Sequence, residues 1–210
     1  MSKQQRTLKN RILDQALELA EKSSWEQLHL RTVADELKIS LDEIRRCYAQ
    51  KDDLVEAWFD RADASLLSGT RPDGFLAMPL NERLHQVIMT WLESLAPHRR
   101  LTREMLAYKL EPGHVHLQAL GIMRISRTVQ WFCEASGQDS TGLRRIVDEC
   151  ALTTIYLTTF ARWLYDDSAN SIKTRDLLDT ALRQWPGFSH SNIQSSAKAA
   201  VVEEARQPGQ

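Results

Sequence analysis

Between Ile12 and Leu54 the chain carries apolar stripes of helical period cut by two short breaks, a pattern that few folds accept. Leu8, Ile12, Leu13, Ala16, Leu17, Leu19 and Ala20 recur at three- and four-residue steps. That spacing predicts one helix with a single buried stripe. Ser23-Ser24 break it, and residues 28–37 predict a short second helix with Leu30, Val33, Ala34 and Leu37 inward. Ser40-Leu41-Asp42-Glu43 then matches a capping box, in which the serine hydroxyl accepts from the backbone three residues on and the glutamate reaches back. A third helix therefore starts at Leu41 and runs to about Tyr48, with Ile44, Cys47 and Tyr48 inward and Ile39 in the turn. Leu41, Asp42, Arg45, Arg46 and Ala49 are left facing outward, and Lys51 opens a fourth helix reaching about Ser68. Two short helices joined by a tight turn form a helix-turn-helix, which presents its second helix to a DNA major groove.

The remainder also has helical period, and no segment alternates as a strand does. Helices are predicted over 81–95, ended by Pro97; 98–110, ended by Pro112-Gly113; 114–135, followed by Ser136-Gly137; 141–165; and 172–184, ended by Trp185-Pro186-Gly187. The expected fold is all-α, with about nine helices. Residues 1–51 are the expected helix-turn-helix module and residues 52–187 a helical effector-binding and dimerisation domain. The small, polar stretch 188–210 is an expected disordered tail, with a marginal helix near 197–205.

Composition narrows the function. Three scattered cysteines, Cys47, Cys133 and Cys150, form no CxxC pair and suit a reducing cytoplasm. No apolar run approaches a membrane span, so no membrane insertion is expected. His114 and His116 lie two apart and would point to different helix faces, and no phosphate loop, nucleophile elbow or HExxH motif occurs. The expectation is therefore no metal, no cofactor and no enzyme.

Net charge is −1, so only local charge bears on nucleic acid. Four bases (Lys3, Arg6, Lys9 and Arg11) precede the first acid at Asp14. Arg31, Arg45, Arg46 and Lys51 follow, and the candidate DNA-contacting set is Lys3, Arg6, Arg31, Ser40, Leu41, Asp42, Arg45, Arg46, Tyr48 and Lys51. Asp42 has two readings: it stabilises the helix N-terminus, or it accepts from a cytosine amino group. With ten bases against eight acids in residues 1–51, non-specific affinity is expected to be modest and its salt dependence shallow.

The segment from about residue 8 to residue 60 resembles the N-terminal domain of TetR-type transcriptional regulators. The resemblance rests on the opening helix around Ile12-Leu13-Asp14, the Val33-Ala34 pair, the Ile39-Ser40 turn, the stretch 45–48 and Lys51-Asp52-Asp53-Leu54. The chain departs from that pattern at Ser24 and Lys38, where the family usually has Gly, at His29, near which it has Thr, and at Arg45-Arg46-Cys47-Tyr48 in place of Tyr-x-His-Phe. The resemblance implies a homodimeric repressor of a double-stranded DNA operator, controlled by a small, largely apolar or lipid-like effector. A shorter likeness, at Ser94 to Arg100 and Arg127 to Gly137, is to TetR-like lipid-binding accessory proteins of ubiquinone biosynthesis, which do not bind DNA.

Under the first resemblance the stretch 150–161, apolar or small nearly all round, belongs to a dimer contact; the alternative is a helix at the centre of a monomer. The expected contact residues are Ile155, Thr159, Phe160, Trp163, Leu177, Leu178 and Ala181. Met89, Trp91, Met105, Tyr108, Met123 and Trp131 are the expected lining of an effector pocket, or else ordinary core.

Overall fold

The computed structural model describes residues 3–69, 71–110 and 115–189; for Lys3, Leu110, residues 115–122 and Ser189 it describes the backbone alone. The histidine pair at 114 and 116 and the stretch 190–210, with its expected helix near 197–205, lie outside the described residues or side chains. Among the described residues there are ten α-helices and no strand: α1 (Lys3–Lys22), α2 (Leu30–Leu37), α3 (Leu41–Cys47), α4 (Asp52–Ser68), α5 (Leu80–Leu95), α6 (Arg99–Leu110), α7 (Val115–Ser136), α8 (Gly142–Trp163), α9 (Ile172–Gln184) and α10 (Pro186–Ser189). The chain divides into two compact units, residues 1–65 with 93–122 and residues 66–92 with 123–210.

In the first unit Ile12, Leu13, Ala16, Leu17 and Ala20 of the α1 stripe are inaccessible, and Leu8 and Leu19 are half-buried at its edges. Val33 and Ala34 of α2, Ile44 of α3, Leu54, Val55 and Trp58 of α4 and Leu101 and Met105 of α6 complete this core. The second helix starts at Leu30, two residues later than expected, with His29 as an extended N-cap residue. It ends in a Schellman arrangement: Ile39 N–H donates to the Ala34 carbonyl at 3.1 Å and Lys38 N–H to that of Asp35 at 3.2 Å. This turn places Lys38 at φ 55°, ψ 44°, the left-handed region where a side chain costs about 1–2 kcal/mol.

The second unit is built round Trp91. Its indole meets Phe132, Tyr156 and Phe160 edge-on, with ring centroids 6.1, 5.5 and 5.3 Å away. Such pairs add about 0.5–1.5 kcal/mol each to the burial of the rings. At the corner between α8 and α9, buried Asp166 accepts from the backbone and hydroxyl of Ser168 (3.0 and 2.5 Å) and of Thr174 (2.9 and 2.6 Å). Those four bonds hold its carboxyl well below the ordinary value of 3.8, although burial works the other way.

One expectation needs correcting here. The tail was expected from residue 188, but Phe188 is buried on the short helix that Pro186 starts. Trp185 anchors the same turn, its Nε1 donating to Asp148 Oδ1 at 3.0 Å. A lone aromatic in a small, polar stretch leaves no periodic signal.

Replacing Lys38 with Gly is expected to raise the stability of the folded chain by about 0.5–1 kcal/mol, because the left-handed strain exceeds glycine's extra unfolded-state entropy; urea unfolding measures it. The depressed Asp166 carboxyl contributes stability that is complete above the ordinary value of 3.8 and lost as pH falls toward the lower folded value. Asp166→Asn is therefore expected to unfold at a lower temperature near neutral pH and to lose less stability than the parent as pH falls below about 4.

Candidate nucleic-acid interface

The third helix is fixed at its start and free on one side. Ser40 Oγ accepts from Glu43 N–H at 3.2 Å, and the Glu43 carboxylate takes the Ser40 N–H at 2.9 Å, completing the capping box. These bonds to Ser40 hold the Glu43 carboxyl below its ordinary value. Ile44 and Cys47 face the core, and Leu41, Asp42, Arg45 and Arg46 are exposed, as the helical period requires. Arg6 on α1 and Arg31 on α2 are exposed too. Ser40, Leu41, Asp42, Arg45 and Arg46 thus share one short helix and its cap, while the Lys3 side chain lies outside the described residues. A groove lined by Gln4, Gln5, Thr7, Leu8, Arg11, Ile39, Glu43, Arg46 and Cys47 runs between α1 and α3.

Two expected contacts are spoken for inside the unit. Tyr48 is buried, and its hydroxyl donates to the Lys9 carbonyl at 3.1 Å. Burial pushes its phenol up to about 12. Lys51 reaches back to the carbonyls of Trp25 (2.5 Å) and Glu26 (3.1 Å) and lies over the rings of Trp25 and Tyr108. Burial lowers the pKa of that ammonium. The Tyr48 hydroxyl is thus turned inward, and two backbone carbonyls hold the half-buried Lys51 ammonium. Sequence reasoning assigned Tyr48 both an inward position and a DNA contact, and the inward position holds.

The head is gripped by α6 through residues that sequence reasoning did not single out. Arg100 Nη2 donates to the carbonyls of Ala20 (3.3 Å) and Glu21 (2.8 Å) and to the Glu21 carboxylate (2.9 Å). Glu104, itself paired with Arg100 at 2.6 Å, accepts the Trp25 N–H at 2.7 Å. Near the C-terminus of α6, buried Lys109 pairs with Glu56 and with buried Asp52 (3.3 Å) at the start of α4. Burial raises the Asp52 carboxyl, and the lysine opposes that rise. The only trace of this arrangement in the sequence is a run of charges at helical spacing, which reads as a solvated face.

The expected effector residues do not line one cavity. Met89, Trp91 and Met105 are inaccessible core, Tyr108 faces Lys51, and Met123 is 67% exposed. Trp131 alone borders a cleft of about 520 Å³ with Arg127, Gln130, Cys133, Glu134, Gln138, Ser140, Arg145 and Glu149, a lining of mixed charge rather than an apolar one. The Cys133 thiol there is pushed up to about 12 by burial.

The expected dimer residues need a similar correction. Thr159, Phe160, Trp163 and Leu178 are buried in their own chain, and Ile155, Leu177 and Ala181 are half-buried. The uncovered side of α8 is its other face: Leu143 (82% exposed), Ile146, Val147, Cys150, Thr154, Leu157, Thr158 and Ala161, continued by Tyr165. On a helix apolar nearly all round, the large aromatics fill the core and the smaller residues remain outside. Periodicity alone does not say which face is which.

Among the described residues no cluster of His, Cys, Asp and Glu could hold a metal, and no helix is long and apolar enough to cross a membrane. No protein-family model matches the chain. No curated protein matches it either. Solved structures do. The TetR transcriptional regulator from Nitrosomonas europaea ATCC 19718 is 45% identical over 84% of this chain and 97% of its own, with a TM-score of 0.74. A TetR transcriptional regulator from Rhodococcus sp. RHA1 is similar in fold, at 18% identity over 87% of this chain and 99% of its own, with a TM-score of 0.64.

Removing the cap with Ser40→Ala is expected to cost about 1 kcal/mol of stability. The same substitution should speed amide exchange in α3 more than in α1, as native-state hydrogen exchange can show.

Proposed function

Since the chain belongs to the TetR family of transcriptional regulators, we propose that it represses transcription by binding a double-stranded DNA operator as a homodimer. Residues 1–51 form the reading head in this proposal, and the helical body from residue 52 to the Phe188 anchor carries pairing and effector binding. The observation that supports it most is α3: capped at its N-terminus, buried on one face, and carrying Asp42, Arg45 and Arg46 exposed on the other. Its N-terminal residues meet base edges, Arg45 and Arg46 reach bases or phosphates, and Arg6 and Arg31 add phosphate contacts.

Pairing uses the outer face of α8. Leu143, Ile146, Val147, Leu157 and Tyr165 form an exposed apolar stripe, the kind of surface that marks a protein contact. Applied by two-fold symmetry, the same stripe covers itself. Two heads then meet half-sites one helical turn, or a simple multiple of it, apart.

The effector acts by favouring one of two arrangements of the heads, and it must bind one better than the other. The cleft beside Trp131 is the proposed entry, so the effector combines a flat apolar body with polar groups, in place of the largely apolar molecule expected from sequence. Within the first unit, α6 is the proposed lever, since Arg100, Glu104 and Lys109 tie it to α1, to the Trp25 loop and to α4.

Genomic DNA captured by the purified protein at physiological salt should be enriched in discrete promoter fragments. Arg45→Ala with Arg46→Ala is expected to weaken binding to such a fragment at least tenfold in a mobility-shift titration, since each good base or phosphate contact carries about 1–3 kcal/mol. Unchanged affinity would remove α3 from the interface. Val147→Glu with Leu157→Glu is expected to sediment as a monomer, and a dimer that survives both would place the contact elsewhere.

A further inference from the structure

We propose that Asp42 is a specificity-determining residue: one carboxylate holds both arginines of α3 and suppresses binding to unrelated DNA while leaving an acceptor for a cytosine. The proposal rests on the DNA-binding reading above. Asp42 Oδ1 accepts from Arg45 Nη2 at 3.0 Å and Nε at 3.3 Å, and Oδ2 pairs with Arg46 Nη2 at 2.6 Å. Positions i+3 and i+4 lie over the same side of a helix as i, so one acid at residue 42 serves both bases. The side chains are 47% exposed for Asp42, 71% for Arg45 and 69% for Arg46. Pairs this open to water contribute little to folding. Their consequence lies in what an approaching polyanion meets.

The second acid of the helix, Glu43, is occupied by the Ser40 cap. Glu43 keeps its charge but its oxygens are turned to the cap, so the carboxylate that meets the two guanidiniums is that of Asp42. A phosphate that takes either arginine must loosen its bond to Asp42 and accept a carboxylate nearby. Every sequence imposes that cost equally, which weakens non-specific binding. The pairing also draws both guanidiniums back toward the N-terminal turn of α3, the end that meets base edges in a helix-turn-helix. A carboxylate offers about four acceptor directions. The paired arginines take two directions on Oδ1 and one on Oδ2, which leaves one on Oδ2 for a cytosine N4 amino group in the major groove. Guanine O6 and thymine O4 are acceptors and cannot, and adenine sets its N7 acceptor beside its N6 amino group, so a carboxylate there also meets repulsion. Asp42 would then gain a partner on the right sequence and face repulsion on the wrong one.

The test selects duplexes from a random library with the full-length protein, then measures affinity for the selected duplex and for an unrelated one across a salt series. Wild type, Asp42→Asn and Asp42→Glu are compared. Asp42→Asn is expected to bind the unrelated duplex roughly tenfold more tightly at 0.1 M salt, with a salt slope steeper by about one ion. It should also lose the requirement for cytosine at one position of each half-site. Asp42→Glu is expected to restore the weak non-specific binding and the shallow slope. An Asp42→Asn protein with unchanged non-specific affinity and an unchanged selected sequence overturns the proposal while leaving the regulator reading intact. A wild-type protein that selects no sequence overturns both. Thermal midpoints well above the assay temperature for all three proteins exclude a folding defect as the cause.

Discussion

A helical head of some fifty residues buries a small core and is marginal by itself, so the support that the rest of its unit gives to the end of its first helix matters. The last carbonyls of any helix lack intrahelical donors. Here α1 runs into Ser23-Ser24 without a glycine cap, and Arg100 from α6 supplies donors to the Ala20 and Glu21 carbonyls. Glu104 on the next turn of α6 accepts the Trp25 backbone, and Lys51 closes the same loop from the other side. Trp25 itself is wholly buried. This grip fixes the loop that enters α2, and α3 packs in turn on α2 and α1, where Tyr48 meets the Lys9 carbonyl. The same contacts carry structure and function, because a shift of α6 must be felt at the end of α1.

What could be read in the sequence depended on whether the signal was local. The start of α3 followed from Ser40 and Glu43, since a capping box is complete within four residues. The inward set Ile44, Cys47 and Tyr48 followed from the period alone. The body helices were legible for the same reason, within a residue or two at each end. Side chains that reach across the chain were not. Lys51 had the charge of a phosphate ligand, yet it folds back onto the Trp25 and Glu26 carbonyls at a separation in sequence that no local pattern reports. Phe188 was lost in a polar stretch because a single anchor has no period.

The helix α8 shows the limit most clearly. Its stretch 150–161 is apolar or small nearly all round, so an interface could be expected but not assigned to a face. The structure puts Tyr156, Phe160 and Trp163 inside and leaves Leu143, Val147 and Leu157 outside. Large rings bury more area than aliphatic side chains, and they find one another round Trp91. The apolar pocket expected near Met89 and Trp91 fails for the same reason, since those side chains fill the space they were expected to enclose.

The central claim is that two copies, paired along α8, each set an α3 against one face of the same duplex. Hydroxyl-radical footprinting on a fragment captured by the protein tests it most directly. Two protected patches on one face of the DNA, related by a dyad and centred about one helical turn or a whole multiple of it apart, are the predicted result. A single patch, or protection spread evenly round the duplex, would contradict it.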